Sequence, residues 1–245
     1  MISFNTYKTF THLTPKMQKS FGRFKDSCLD TNVPIRDVKT QYVRTLRKFI
    51  NQKKVQEFYD RTKLLSVDAE QKGDTKLSSL LINELGKLST QFKLRDNPEN
   101  ILHKAVSVCR QSDDGMHELA RLGDLEKLYM RTCEDDKLFN VLKAKVDCCK
   151  KILQNYQEYA EHFSSVSKKP TSPNSIKTQL SYTYAALADM LAQTNHNEAI
   201  RLLDKSIDIN LELGFEYTVQ RLQGRINTII KEAQQRRKAR YNGFI

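Results

Sequence analysis

The sequence predicts an all-α protein built as a stack of antiparallel helix pairs. Three observations predict it. Apolar residues recur at steps of three and four along most of the chain, which marks one buried helix face. Only 8 Gly and 5 Pro occur in 245 residues, too few turn formers for a many-stranded sandwich. The stretch from Tyr182 to Ile209 shows the unit itself. Tyr184, Leu187 and Leu191 make one apolar stripe, and Ala199, Ile200, Leu202, Leu203, Ser206, Ile207 and Ile209 make another. A polar turn, Gln193 to Asn197, separates them. The small residues Ala185, Ala186, Ala188 and Ala192 let two helix backbones approach closely across a short loop.

Taken in order, residues 1–34 read as a basic N-terminal arm with short helices. Phe4, Tyr7, Phe10 and Leu13 have helical spacing, Pro15 interrupts it, and Met17, Phe21 and Phe24 start a second short helix. Asp30 to Pro34 is a turn, with Pro34 suited to the start of a helix. Residues 35–245 read as one helical-repeat domain. Ile35 to about Val67 predicts a single long helix, apolar through Val38, Tyr42, Leu46, Phe49, Phe58, Leu64 and Leu65. Arg44, Arg47, Lys48, Lys53 and Lys54 occupy its other side.

Gly73-Asp74 stops that helix, and Thr75 to Gln91 forms the next. Pro98 opens a helix through Cys109, Ser112 to Gly115 breaks it, and Met116 to Arg131 follows. Leu138 to Phe163 runs on after a turn at Cys133 to Asp136. Residues 164–175, SSVSKKPTSPNS, have no apolar period and read as an irregular surface loop, open to proteolysis or phosphorylation. Tyr217 to Lys238 is the last helix, closing in Arg236, Arg237, Lys238 and Arg240.

The formal charge is +12 and uneven: from Met1 to Lys63 there are 14 Lys or Arg against 5 Asp or Glu. Such a segment suits nucleic-acid phosphates, anionic lipid or an acidic protein, and it equally suits a solvated face. The candidate basic contact surface is Arg44, Arg47, Lys48, Lys53, Lys54, Arg236, Arg237, Lys238 and Arg240. Five cysteines, an odd number with no zinc spacing, read as reduced thiols, so a cytoplasmic, reducing location is expected. No apolar run near 18 residues predicts a membrane span, and the N-terminus shows no signal-peptide core.

Three stretches align as helix pairs: Leu85 to Cys109, Leu125 to Cys149, and Ala186 to Ile209. They resemble tetratricopeptide repeats. In the third, Leu187-Ala188 stands at the family's Leu-Gly pair, and Asn197 to Ile200 matches the start of its second helix. In the first, Leu85-Gly86, Leu102 and Ala105 match while Pro98 replaces an expected Ala. In the second, Leu125 and Tyr129 match, but Glu126 replaces the Gly and Lys145 replaces a small residue. The first two begin 40 residues apart, which resembles the long-helix variants of the family. The resemblance covers about half the chain. It implies a right-handed superhelical stack of helix pairs with terminal capping helices, and a groove for a partner peptide.

Catalytic chemistry finds little support. His12, His103, His117, His162 and His196 are scattered, with no second ligand at metal spacing. Phosphate loops and nucleophile motifs are absent, so no enzyme activity and no cofactor are expected. Asp113-Asp114 and Asp135-Asp136 sit beside helix starts, where carboxylates favour the helix dipole. Three readings stay open: a protein-interaction scaffold, a nucleic-acid binder using the basic regions, and a membrane-surface helical dimer with a basic face. In the basic quarter, the helical spacing of Phe21, Phe24, Tyr42, Phe49, Phe58 and Tyr59 predicts core positions before stacking platforms.

Overall fold

The computed structural model describes residues 13–158 and 172–242, leaving out the side chains of residues 237 and 239–242. The expected pattern of Phe4, Tyr7 and Phe10 and the expected loop as far as residue 171 lie outside the described residues. Ten helices can be bounded among the described residues, and no strand occurs among them. They are α1 Pro15–Leu29, α2 Ile35–Asn51, α3 Val55–Gln71, α4 Thr75–Phe92 and α5 Pro98–Gln111. Then follow α6 Gly115–Thr132, α7 Asp135–Gln154, α8 Pro173–Leu191, α9 His196–Glu212 and α10 Glu216–Asn242. The chain divides into two compact units between Arg121 and Leu122, inside α6.

In the first unit, Thr14 caps α1 and Pro15 takes its first turn, where a missing N–H leaves no helix bond broken. Pro15 therefore opens the second short helix that the sequence predicts. Phe21 and Phe24 point inward and meet Tyr42, Phe49 and Phe58 from α2 and α3. Ring centroids lie 5.1 Å apart for both Tyr42–Phe58 and Phe49–Phe58. Contacts of this kind add about 0.5–1.5 kcal/mol each beyond burial. Residues 15–29 thus share a hydrophobic core with α2 to α4.

The single long helix expected from Ile35 to Val67 is two helices. Lys53 adopts a left-handed φ of 56°, and the Lys54 amide turns back to the Phe49 carbonyl at 2.9 Å. That bond satisfies a carbonyl the helix end would leave orphaned. No Gly or Pro marks this break, so the apolar period runs straight through it. The same turn closes α3 at Gly73, α4 at Lys93, α5 at Asp113 and α6 at Cys133, each 20 residues after the last. Equal helix-plus-turn segments result, and α4 lies buried along nearly its whole length among them.

Where the sequence shows a Leu-Gly pair, the structure shows close packing: a Cβ on Gly86 would stand 2.7 Å from the Leu102 side chain. Within the units, α1 packs on α2, α3 on α4, α4 on α5, α7 on α8, α8 on α9 and α9 on α10. Tyr42 on α2 donates to the Glu84 carbonyl on α4 across a separation of 42 residues. Arg225 on α10 donates to the Ala185 carbonyl on α8 across 40.

In the second unit, α7 ends at Gln154 rather than running unbroken to Phe163. The expected loop is helical from Pro173 onward, because Ser172 caps α8 and Pro173 fills its first turn. Ser181 and Ser206 meet across the α8–α9 hairpin, with Ala188 and Ala199 fully buried beside them. α10 buries Val219, Leu222 and Ile229 and turns Gln220, Gln223, Asn227 and Lys231 to solvent.

Candidate binding groove

A recess with both apolar and charged walls lies in the second unit, along α7, α8 and α9. It encloses about 340 Å³. Its floor comes from the inward stripes of three helices: Val146 of α7, Tyr184 and Leu187 of α8, and Leu202 of α9, all buried. Phe139 and Leu191, half-buried, stand higher on the walls. This arrangement follows from helical periodicity, because the residues that pack α8 between α7 and α9 also leave their outer edges lining the trough.

The rim is cationic. Lys143 and Lys150 project from α7, and Arg201 and Lys205 from α9. The Lys143 ammonium lies 5.2 Å from the Phe139 ring centroid, and that of Lys205 lies 5.6 Å from the Tyr184 centroid. Both stems therefore cover apolar surface while their charges stay at the mouth. Arg201 forks onto Glu198 through two bonds, of 2.7 and 2.6 Å. That pairing holds the Glu198 carboxyl below its ordinary value and raises Arg201. Asp147 is the other acid in the lining. Among the described residues, Lys143, Lys150 and Lys205 form no ion pair.

The basic residues expected as a contact surface are placed differently. Arg44 and Arg47 are exposed on α2, but Lys48 donates to Ser20 Oγ at 3.0 Å and helps to hold α1. Lys53 and Lys54 lie in the α2–α3 turn. Arg236 donates to the Gln193 carbonyl at 3.1 Å and Lys238 is exposed, whereas the side chains of Arg237 and Arg240 are outside the described residues. These two groups of cations belong to different units. The aromatic residues of the basic quarter are core: Phe24, Phe49 and Phe58 have no exposed surface.

Of the histidines, His117 hydrogen-bonds through Nδ1 to Asp114 at 2.6 Å, and His103 faces Glu99. Asp114 also accepts the His117 backbone N–H, so it serves the start of α6. Among the described residues, no three His, Cys, Asp or Glu side chains gather as metal ligands. Lys143, Lys150, Arg201 and Lys205 were not singled out by the sequence reading. Their signal is a cation stripe running beside the apolar stripe on α7 and α9, which acquires meaning only once the register of α8 between them is fixed.

No family model and no curated protein matches the chain. Solved structures of helical repeats do overlay on it loosely. A variant of a Podosopora anserina kinesin light chain with nearly identical TPR-like repeats gives a TM-score of 0.39 at 14% identity, over 82% of this chain and 97% of that one. A de novo designed helical repeat protein gives 0.28 at 10% identity, over 91% and 96%. Overlap at this level is slight, and the architecture stands on the chain's own packed helices and on left-handed turns spaced 20 residues apart. By those features the chain is an all-α protein of repeated helical hairpins.

Proposed function

We propose that the chain is a non-enzymatic protein-interaction scaffold that holds a segment of a partner protein in the groove of α7, α8 and α9. The supporting observation is the groove itself: an apolar floor with a charged rim, built on packed helices rather than on loops. Stacked helical hairpins offer extended surfaces of this kind for peptide binding. The alternative of nucleic-acid binding keeps its exposed cations but loses its stacking platform, since the aromatics of the basic quarter fill the core.

The test is site-specific photo-crosslinking in native extract, with and without nuclease. A crosslinking residue replaces Leu191 in the groove or, as a control, Asn227 on the solvent face of α10. A protein adduct confined to the groove position and resistant to nuclease supports the scaffold. Equal adducts at both positions, or adducts abolished by nuclease, contradict it.

A further inference from the structure

We infer that the groove recognises an acidic segment of its partner, in which carboxylates flank one or two apolar anchor side chains. This inference rests on the scaffold reading above and adds the chemistry of the occupant. Four cations line the recess against two acids; with Arg201 and Glu198 paired to each other, Lys143, Lys150 and Lys205 stand against Asp147. The lysines stand on both walls. Lys143 and Lys150 are two helical turns apart on α7, a span of roughly 10 Å, and Arg201 and Lys205 are one turn apart on α9.

A partner lying along the trough therefore meets positive charge on each side and an apolar floor beneath. A volume of about 340 Å³ is near the lower end of ligand pockets, which run from about 300 to 1,000 Å³, so it admits anchor side chains rather than a whole helix. Nucleic acid fits less well. Base stacking needs an open ring face, but Tyr184 is 5% exposed and Lys143 sits over Phe139. A bare phosphate would leave the apolar floor unused. Charge at the rim sets partner choice and association rate, while the anchor sets the lifetime of the complex.

The experiment uses fluorescence anisotropy with the full chain and a labelled peptide of Glu and Ala around a central Leu-Phe pair. Three further probes accompany it: the same peptide with Gln for Glu, the acidic peptide with Ser for the Leu-Phe pair, and a single-stranded oligonucleotide. The acidic-apolar peptide is expected to bind at least about tenfold tighter than either altered peptide, with an affinity that falls as salt rises.

The double variant Lys143→Glu with Lys150→Glu is expected to lose about tenfold or more in affinity. Both residues are exposed, so the fold, checked by circular dichroism, should persist. Reversing the exposed Lys16 and Lys19 on α1 makes the same net-charge change and is expected to leave binding intact. Equal binding of the Glu and Gln peptides overturns the acidic occupant but leaves the scaffold standing. Tighter binding of the oligonucleotide, lost in the Lys143/Lys150 variant, overturns both. Binding that Lys16/Lys19 reversal weakens as much as Lys143/Lys150 reversal reduces the effect to net charge and overturns the groove as the site.

Discussion

Ser181 Oγ and Ser206 Oγ lie 2.8 Å apart across the α8–α9 hairpin, buried and 25 residues apart in sequence. The first hairpin repeats the device: Ser20 Oγ and Thr45 Oγ1 lie 3.2 Å apart, again 25 residues apart. In each, the hydroxyl of the second helix donates to the backbone carbonyl of the first, Ser206 to Ser181 and Thr45 to Ser20. A third donor then reaches the first hydroxyl, Asn210 at 2.6 Å in one hairpin and Lys48 at 3.0 Å in the other. Small hydroxyls let the helices approach, and reciprocal bonding removes the penalty of burying them.

Ser181→Ala strips one acceptor from the Asn210 amide, which keeps the Ser206 carbonyl at 2.7 Å, and removes a hydroxyl partner from Ser206. The expected cost is about 0.5–1.5 kcal/mol, the net worth of a hydrogen bond, because each donor keeps a backbone carbonyl. Urea unfolding measures it. Adding Asn210→Leu should recover part of the loss, because the under-satisfied amide goes with it. A double variant less stable than Ser181→Ala by the full cost of Asn210→Leu alone would show that the two residues act independently.

Glu126 and Lys145 stand at the two positions where the second helix pair departs from the repeat pattern, and they are each other's partner. Their charged ends meet at 2.5 Å in a buried ion pair between α6 and α7. Forty residues earlier, Gly86 and Ala105 occupy the equivalent positions as small residues. Removing one partner leaves a buried charge, so Lys145→Met should cost about 3–5 kcal/mol. Replacing both by Met should be close to neutral, or stabilising by as much as about 4 kcal/mol. The check is a thermodynamic double-mutant cycle; additive losses would remove the pair as a unit.

The sequence carried the helical class and most helix boundaries because both follow from apolar periodicity and caps. The starts of α4 and α5 were readable from Gly73-Asp74 and Pro98, and the end of α5 from the Ser112 to Gly115 break. The break at Lys53 was not, since a lysine in a left-handed conformation has no local signature and the apolar stripe continues across it. Glu126 and Lys145 each read as a flaw when taken singly; their pairing is a tertiary fact. The groove lysines were equally hidden, for a cation on α7 and a cation on α9 become neighbours only through the packing of α8.

The thiols separate by burial. Cys133 is exposed at the end of α6, whereas Cys28, Cys109, Cys148 and Cys149 are buried. Burial pushes the Cys28 thiol up to about 12 and Cys149 up to about 11, the latter against the opposing pull of the Lys145 charge. The thiolate is the reactive form, so these two stay protonated at neutral pH. Labelling of the native protein with iodoacetamide at pH 7.5 should modify Cys133 first, and Cys133→Ser should abolish the fast phase. Rapid modification of Cys149, read by mass spectrometry, would contradict the packing of α7.

Asp114 gives the α5–α6 turn an acid-sensitive contact. Burial works to raise its carboxyl, but the His117 side-chain hydrogen bond, its charge and its backbone N–H together bring it below the ordinary value of 3.8. A carboxyl lowered in the folded state contributes stability that is fully present above its unfolded value, near 3.9, and is lost as pH falls through the folded value. Melting temperature should therefore fall below about pH 4 more steeply in the natural chain than in Asp114→Asn. Parallel curves for the two between pH 6 and pH 3 would remove Asp114 from the acid response.

The recurring left-handed turn offers a test of the segment length itself. Gly73 and Lys93 close consecutive helices with φ of 73° and 50°. Lysine has a Cβ that crowds the following carbonyl in this conformation, at about 1–2 kcal/mol, and glycine has none. Lys93→Gly is therefore expected to stabilise the protein by up to about 1 kcal/mol, once the added freedom of the unfolded chain is counted. Gly73→Ala should destabilise by about 1 kcal/mol, and the whole effect lies in the backbone, because a Cβ there meets nothing within 4 Å. Opposite signs in paired thermal melts would show that the turns hold their conformation under strain where lysine closes a helix. If both variants lost stability equally, the Lys93 side chain would have to hold a contact worth more than the strain it imposes.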